Sequence, residues 1–121
     1  MDAYGLDISP YAILASPFDI RDQLTCGTAE RLPHNDKCFD LVISINALHN
    51  LPREGVIRAL KEIQRVSRGN SYIVVDSYHS EEEKERFLRW QLTAETHGYH
   101  EFWLSLFNEA GYTGAYSWNL L

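Results

Sequence analysis

Basic residues are scarce in this chain: 11 Lys and Arg stand against 17 Asp and Glu, a formal net charge of −6 over 121 residues. Binding to a phosphate backbone requires a basic patch, so the balance argues against nucleic acid as a partner. Arg65 and Arg68 are close enough in sequence to contribute to a local one. Cysteine is nearly absent. Cys26 and Cys38 have neither metal-ligand nor redox spacing, and nothing suggests a stapled secreted scaffold, although a disulfide between them stays open. Cys26 reads as a small core residue within a strand. No apolar run is long enough to cross a bilayer, and no basic stretch followed by an apolar one opens the chain. The expected location is therefore cytoplasmic, with no membrane partner. The seven glycines (5, 27, 55, 69, 98, 111 and 114) are all isolated, so the chain has no glycine-rich phosphate turn and no dinucleotide fingerprint.

What is present suits a packed protein. Hydrophobic residues make up 45% and aromatics 12%, enough for one core, and 121 residues leave little room for two. Residues 1–121 are read as a single domain without repeat, linker or low-complexity segment.

The pattern alternates between strands and helices. A short strand is expected over 3–8, then Ser9-Pro10 as a helix start and a weak helix over 11–24 interrupted by Pro17. A second strand over 25–29 leads into a polar turn containing Leu32-Pro33 and Asn35-Asp36. Residues 39–45, almost continuously apolar at their centre, give the clearest strand, of the kind covered on both faces in a parallel sheet. Asn50 and Pro52 announce a helix in which Val56, Ala59, Leu60, Ile63 and Val66 share a face, with Gly69 placed to end it. A strand over 72–76 completes a crossover unit. Glu81, Glu82 and Glu83 favour a helix start within 80–92 and otherwise read as solvated charge. A helix over 101–110 stops at Gly111, and 112–120 closes as a strand or hairpin. The fold class is α/β.

Four segments, in order, carry a resemblance to the class I S-adenosylmethionine-dependent methyltransferases of the small-molecule, Rossmann-like type. They are Gly5-Leu6-Asp7-Ile8-Ser9, Gly27-Thr28-Ala29-Glu30-Arg31-Leu32-Pro33, Phe39 to Ser44 with Ala47-Leu48-His49-Asn50-Leu51, and Ala110-Gly111-Tyr112. The resemblance implies a Rossmann-like sheet with helices on both faces, mostly parallel, with an antiparallel C-terminal strand. It implies S-adenosylmethionine as cofactor. Asp7 and Ile8 would lie at the strand end that receives the ribose hydroxyls, Thr28 and Ala29 would border the adenine, and Ser44 and Asn46 would lie near the cofactor at the exit of the third strand. Two hydroxyls side by side suit the two oxygens of one carboxylate, although Asp7 also reads as a capping or turn residue. Thr28 departs from the acidic residue usual in the family. Glu30 reads equally as structural, solvated or binding, and Asn46 as a pocket residue or a cap.

If methyl transfer occurs, His49 is the first candidate for a base, with Tyr78 and His79 second; a loop histidine bonded to backbone is the other reading of His49. His97 and His100 are spaced as two metal ligands on a helix, but surface or packing roles fit better. Tyr99, Phe102, Trp103 and Phe107 read as a core-forming helix face or as the border of an acceptor site.

The main departure from the family is at the front, where its first strand and glycine-rich turn have no counterpart. That strand would lie between those ending at Asp7 and Ser44. Its absence leaves unpaired backbone to be met by direct pairing of the two strands, by a second copy or by another chain. A homo-oligomer or a complementing chain is thus expected, with a small-molecule acceptor as substrate. The alternative, from another class, is a non-catalytic truncated homologue acting as an association partner. A nicotinamide-dependent enzyme lacks its fingerprint here.

Overall fold

The computed structural model describes residues 4–7, 24–45, 47–90 and 94–119. Its elements are β1 (Gly5–Asp7), β2 (Leu24–Cys26), β3 (Val42–Ile45), a 3-10 turn (Leu48–Asn50), α1 (Arg53–Val66), β4 (Ser71–Asp76), α2 (Glu81–Trp90), α3 (His100–Ala110) and β5 (Ala115–Asn119). The alternation read from the sequence is thus an α/β architecture. The expected helix over 11–24 falls almost wholly outside the described residues.

The strands form two sheets, β1–β2 and β3–β4–β5, and every pairing is parallel. The expectation of an antiparallel C-terminal strand is therefore corrected: β5 runs parallel to β4, with Tyr72 beside Ala115 and Asp76 beside Asn119. The reason lies in the connection. Helix α3, packed on the sheet, carries the chain back before β5 begins, and a crossover of that kind delivers a parallel neighbour. Of the three arrangements the sequence left open, direct pairing of the strands ending near Asp7 and Ser44 is not seen among the described residues, where β1 pairs with β2 and β3 with β4.

Helix α1 forms as its spacing predicts. Val56, Ala59, Leu60, Ile63 and Val66 are all buried, and they meet Ile73 and Val75 of β4 and Trp103, Leu106 and Phe107 of α3 in one core. The helix stops before Gly69. Ser67 is extended, its N–H donates to the Ile63 carbonyl at 3.2 Å, and it bridges to Phe39. Gly69, at φ 109°, instead makes the turn into β4. At the end of α3, Gly111 adopts the left-handed conformation (φ 72°) expected of a glycine stop. There Tyr112 donates to the Ala115 carbonyl at 2.7 Å and accepts from Ser71 Oγ at 3.0 Å. Gly114 fits beside them because a Cβ would fall on both groups.

Side chains alternate across a strand, so the register sorts the faces. Val42, Ser44, Ile73, Val75 and Trp118 point toward α1 and α3. Ile43 and Ile45, beside Tyr72 and Val74, point the other way. On that second face Leu41, Ile43 and Ile45 are 55%, 56% and 59% exposed. Among the described residues the expectation that this strand is covered on both faces is corrected, because β3 has one strand neighbour there and the two helices packed on the sheet, α1 and α3, share one face. Helix α2 sets its Phe87 against Tyr78, beyond the end of β4. The helices on both faces that the resemblance implied are thus, among the described residues, two on one face and one beyond the strand end.

Candidate functional site

Parallel strands present their carboxyl ends at one edge, where ligands of open α/β sheets bind. In the three-stranded sheet that edge carries Asp76, the last residue of β4, and Asn119, the last of β5; the Asn119 amide donates to Asp76 at 2.8 Å. His49, in the turn just after β3, belongs to the same neighbourhood: the Asp76 charge acts on its ring. His49 is 4% exposed and its Nδ1 has no hydrogen-bond partner. Burial holds its pKa below the ordinary value, and the Asp76 carboxylate opposes that shift only in part. The result is a neutral imidazole with a buried, unpartnered ring nitrogen in the field of a carboxylate that would steady the imidazolium. The backbone holds it in place. The His49 carbonyl accepts from the N–H groups of Glu95 and Thr96 at 2.8 and 3.1 Å, and Thr96 Oγ1 donates to the Leu51 carbonyl at 2.5 Å.

Tyr78 and His79 follow β4 directly. The Tyr78 ring is 2% exposed and its hydroxyl bonds His97 Nδ1 at 2.9 Å; burial raises its pKa, so the phenol keeps its proton. The His79 side chain is mostly exposed and lies 2.5 Å from Glu83. His100 bonds Ser77 and stacks on Trp118, with ring centroids 4.7 Å apart. His97 and His100 are thus occupied by Tyr78 and Ser77. Among the described residues no group of three or more His, Cys, Asp or Glu could hold a metal. Trp103 and Phe107 are buried, so this helix face builds core, and Tyr99 donates to Glu81 at 2.6 Å.

The expected cofactor residues are more scattered. Asp7 ends β1 opposite Cys26, at the carboxyl end of its own sheet. Ile8 and Asn46 lie outside the described residues. Ser44 sits within β3 opposite Ile73, on the face toward α1. Thr28 and Ala29 begin the loop after β2. The Thr28 hydroxyl accepts from the Glu30 N–H at 3.2 Å, and Ala29 packs against the core. This loop is held on α1 by charge: Glu30 pairs with Arg58, Glu62 accepts from the Leu32 N–H at 2.8 Å, and Arg65 reaches Asp36 and the carbonyls of Leu32 and His34. Glu30, which the sequence left undecided, is thus engaged in structure. An open cleft beside Thr28 is lined by Arg31, Arg58, Glu62 and Arg65.

For an adenosylmethionine-type group the fit is partial. Asp7 closes β1 at its carboxyl end, the described loops contain no glycine-rich turn to cradle the amino-acid end, and the Thr28 hydroxyl, which accepts from the Glu30 N–H, keeps its own proton and a second lone pair. Sequence reasoning places Asp76 at a strand end, converging with Asp7, Thr28 and Ser44 on one crevice, but does not tie it to His49, and it misses Asn119. The available signal was that both close parallel strands at the edge where His49 emerges.

A family profile described as a methyltransferase domain matches residues 1–75. No curated protein matches the chain. Among solved structures, it resembles a candidate methyltransferase from Bacillus halodurans (TM-score 0.68, 19% identity, covering 88% of this chain and 51% of that one). It also resembles the candidate methyltransferase in a complex with the Haloferax volcanii Trm112 methyltransferase activator (TM-score 0.66, 23% identity, 89% and 49%). The chain thus spans about half the length of these structures.

Proposed function

The chain belongs to the class I S-adenosylmethionine-dependent methyltransferase family, and from that premise we propose that it takes part in methyl transfer from S-adenosylmethionine to a small-molecule acceptor in the cytoplasm. Its cofactor site is completed by a second copy or a complementing chain. The carrying observation is the buried, neutral His49 beside Asp76 at the carboxyl edge of the three-stranded sheet. When bound, the cofactor supplies an electrophilic methyl group. In this reading His49 takes the acceptor's proton, and Asp76, held by Asn119, stabilises the charge that results. Tyr78 and His79 shape the acceptor's approach. Asp7 and Ile8 serve the ribose, Thr28 and Ala29 the adenine, and Ser44 and Asn46 the exit of β3.

Calorimetric titration of S-adenosylmethionine and S-adenosylhomocysteine, with oligomeric state recorded, tests the reading. Saturable binding that Asp7→Ala abolishes supports it. Binding unchanged by Asp7→Ala removes the ribose role, and no binding under any association state removes the cofactor. The second reading, a non-catalytic association partner, is favoured by one observation: β1 and β3 each have a single strand neighbour among the described residues.

A further inference from the structure

The ladder between β3 and β4 ends at Ile45 beside Val74, four residues short of His49 on one side and of Tyr78 on the other. Beyond that point the two strand exits are tied together by residues 95–99, which are neither helix nor strand. On the His49 side the tie is made of three hydrogen bonds. The N–H groups of Glu95 and Thr96 donate to the His49 carbonyl at 2.8 and 3.1 Å, and Thr96 Oγ1 donates to the Leu51 carbonyl at 2.5 Å. On the Tyr78 side, His97 Nδ1 meets the Tyr78 hydroxyl at 2.9 Å, and Tyr99 forms a parallel backbone bridge with Tyr78.

We infer that residues 95–99 are a positioning strap for the candidate base: Thr96 clamps the turn that carries His49, and His97 joins that clamp to Tyr78, so the two strand exits are held as one unit. This deepens the proposed function and rests on its reading of His49 as the proton acceptor. Thr96 and His97 are positioning residues, each acting through its neighbour.

His49 needs such a strap. Proton transfer depends on hydrogen-bond reach and on alignment, so a base must be held still. The turn that carries it, Leu48–Asn50, is a single 3-10 turn with no side-chain cap, too short to fix a ring unaided. Thr96 supplies the missing hold. It is 4% exposed, and both its N–H and its hydroxyl are spent on residues 49 and 51. The strap is also braced from behind. Gly98 is buried, and a Cβ there would fall on the Phe102 side chain of α3, so the segment sits closer to that helix than a larger residue allows. At the far end the Tyr78 phenol keeps its proton, so it donates and His97 Nδ1 accepts.

Histidine-selective NMR titration of the full chain tests the strap, with the His49 signal assigned by its loss in His49→Gln. Thr96→Val keeps the size of the side chain and removes the hydroxyl. It is expected to raise the His49 pKa toward its ordinary 6.5, because a loosened turn admits water to the ring. Exchange at the Glu95 and Thr96 amides should quicken with it. Thr96→Ser restores the hydroxyl and should restore the wild-type titration. Gly98→Ala pushes the strap off α3 without deleting a polar group and should act in the same direction as Thr96→Val. Tyr78→Phe cuts the far end with no change of charge, and should move the His49 titration the same way by less. A His49 titration unchanged by both Thr96→Val and Gly98→Ala, in proteins folded by circular dichroism, overturns the positioning role. A serine variant that titrates like Thr96→Val overturns the part given to the hydroxyl. An effect of Thr96→Val with none from Tyr78→Phe overturns the joining of the two exits. A chain that shows these shifts but binds no S-adenosylmethionine keeps the strap and loses only the cofactor reading.

Discussion

The two sheets of this molecule are held by different physics. The three-stranded sheet shares a dry core with α1 and α3, in which Val56, Leu60, Ile73, Val75 and Trp103 have no measurable exposure. The two-stranded sheet has three residues in each strand, and the loop that leaves it is fixed to α1 by Glu30, Glu62 and Arg65. Burial of apolar surface is non-directional and is not weakened by charge screening. Charge pairs at a surface are screened and individually weak. The first region should therefore set global stability and the second should open locally, although both carry strand ends assigned to the candidate site.

The strongest way to break that contrast is to empty the core. Trp103→Ala, at a fully buried position packed against Phe107 and Phe102, should cost about 3–5 kcal/mol. Chemical denaturation should show the whole domain unfolding earlier. A loss under about 1 kcal/mol would mean that the core is not what holds the sheet.

A smaller effect is expected at the polar knot that closes the same region. Tyr112→Phe removes a hydroxyl that bonds both Ser71 and the Ala115 carbonyl, and Ser71 is 6% exposed. Leaving those groups unsatisfied should cost about 1–3 kcal/mol. Ser71→Ala in the same background should recover part of it, because the stranded hydroxyl is then gone too. A double-mutant cycle with no coupling would show that the knot is incidental.

The same contrast governed what could be read from the sequence. Helix α1 was legible because five of its buried residues recur at helical spacing, and Gly111 because a left-handed cap favours a residue without a side chain. Strand β3 was legible as a strand but misread in its surroundings. A continuous apolar run looks the same whether both faces are covered or one lies open, and only the pairing partners decide. The direction of β5 was lost for a similar reason: aromatic alternation gives a strand and its faces, not its neighbour. In the candidate site His49 was legible as a residue leaving a strand end, but Asp76 and Asn119 were not tied to it, since their meeting depends on the β4–β5 register. The tether from residues 30–36 to α1 was invisible for the plainest reason. Charged residues about 30 positions apart carry no local signature of pairing.

Acid should probe the buried ring. Burial depresses the folded-state pKa of His49 below its unfolded value of 6.5, so the unfolded chain takes up the proton first. His49 thus contributes its full stability above 6.5 and loses it as the pH falls through the folded value. Between about pH 7 and 5, wild type should lose up to about 1.4 kcal/mol per pH unit from this residue. His49→Gln should remove that part of the slope while other histidines keep theirs. Equal slopes in the two proteins would mean that the ring is solvated when folded, and would weaken its assignment as a neutral base.

The smallest global effect is expected at the tether, and it sharpens the comparison most. Arg65 reaches Glu62, Asp36 and two loop carbonyls, but its side chain is 31% exposed and Asp36 is 75% exposed. Solvent screens these pairs, so Arg65→Ala should move the unfolding midpoint little. Locally the change should be large, because the loop over 30–36 then loses much of what fixes it to α1. Hydrogen exchange should quicken at the loop amides, above all at Leu32, whose N–H donates to Glu62, the carboxylate that Arg65 holds. Amides of β4 and α3 should keep their protection. High salt should produce a weaker version of the same pattern in wild type, since it screens the same pairs. If instead the core amides quicken in step with the loop, the two regions open as one cooperative unit and the division between apolar core and charged tether is wrong.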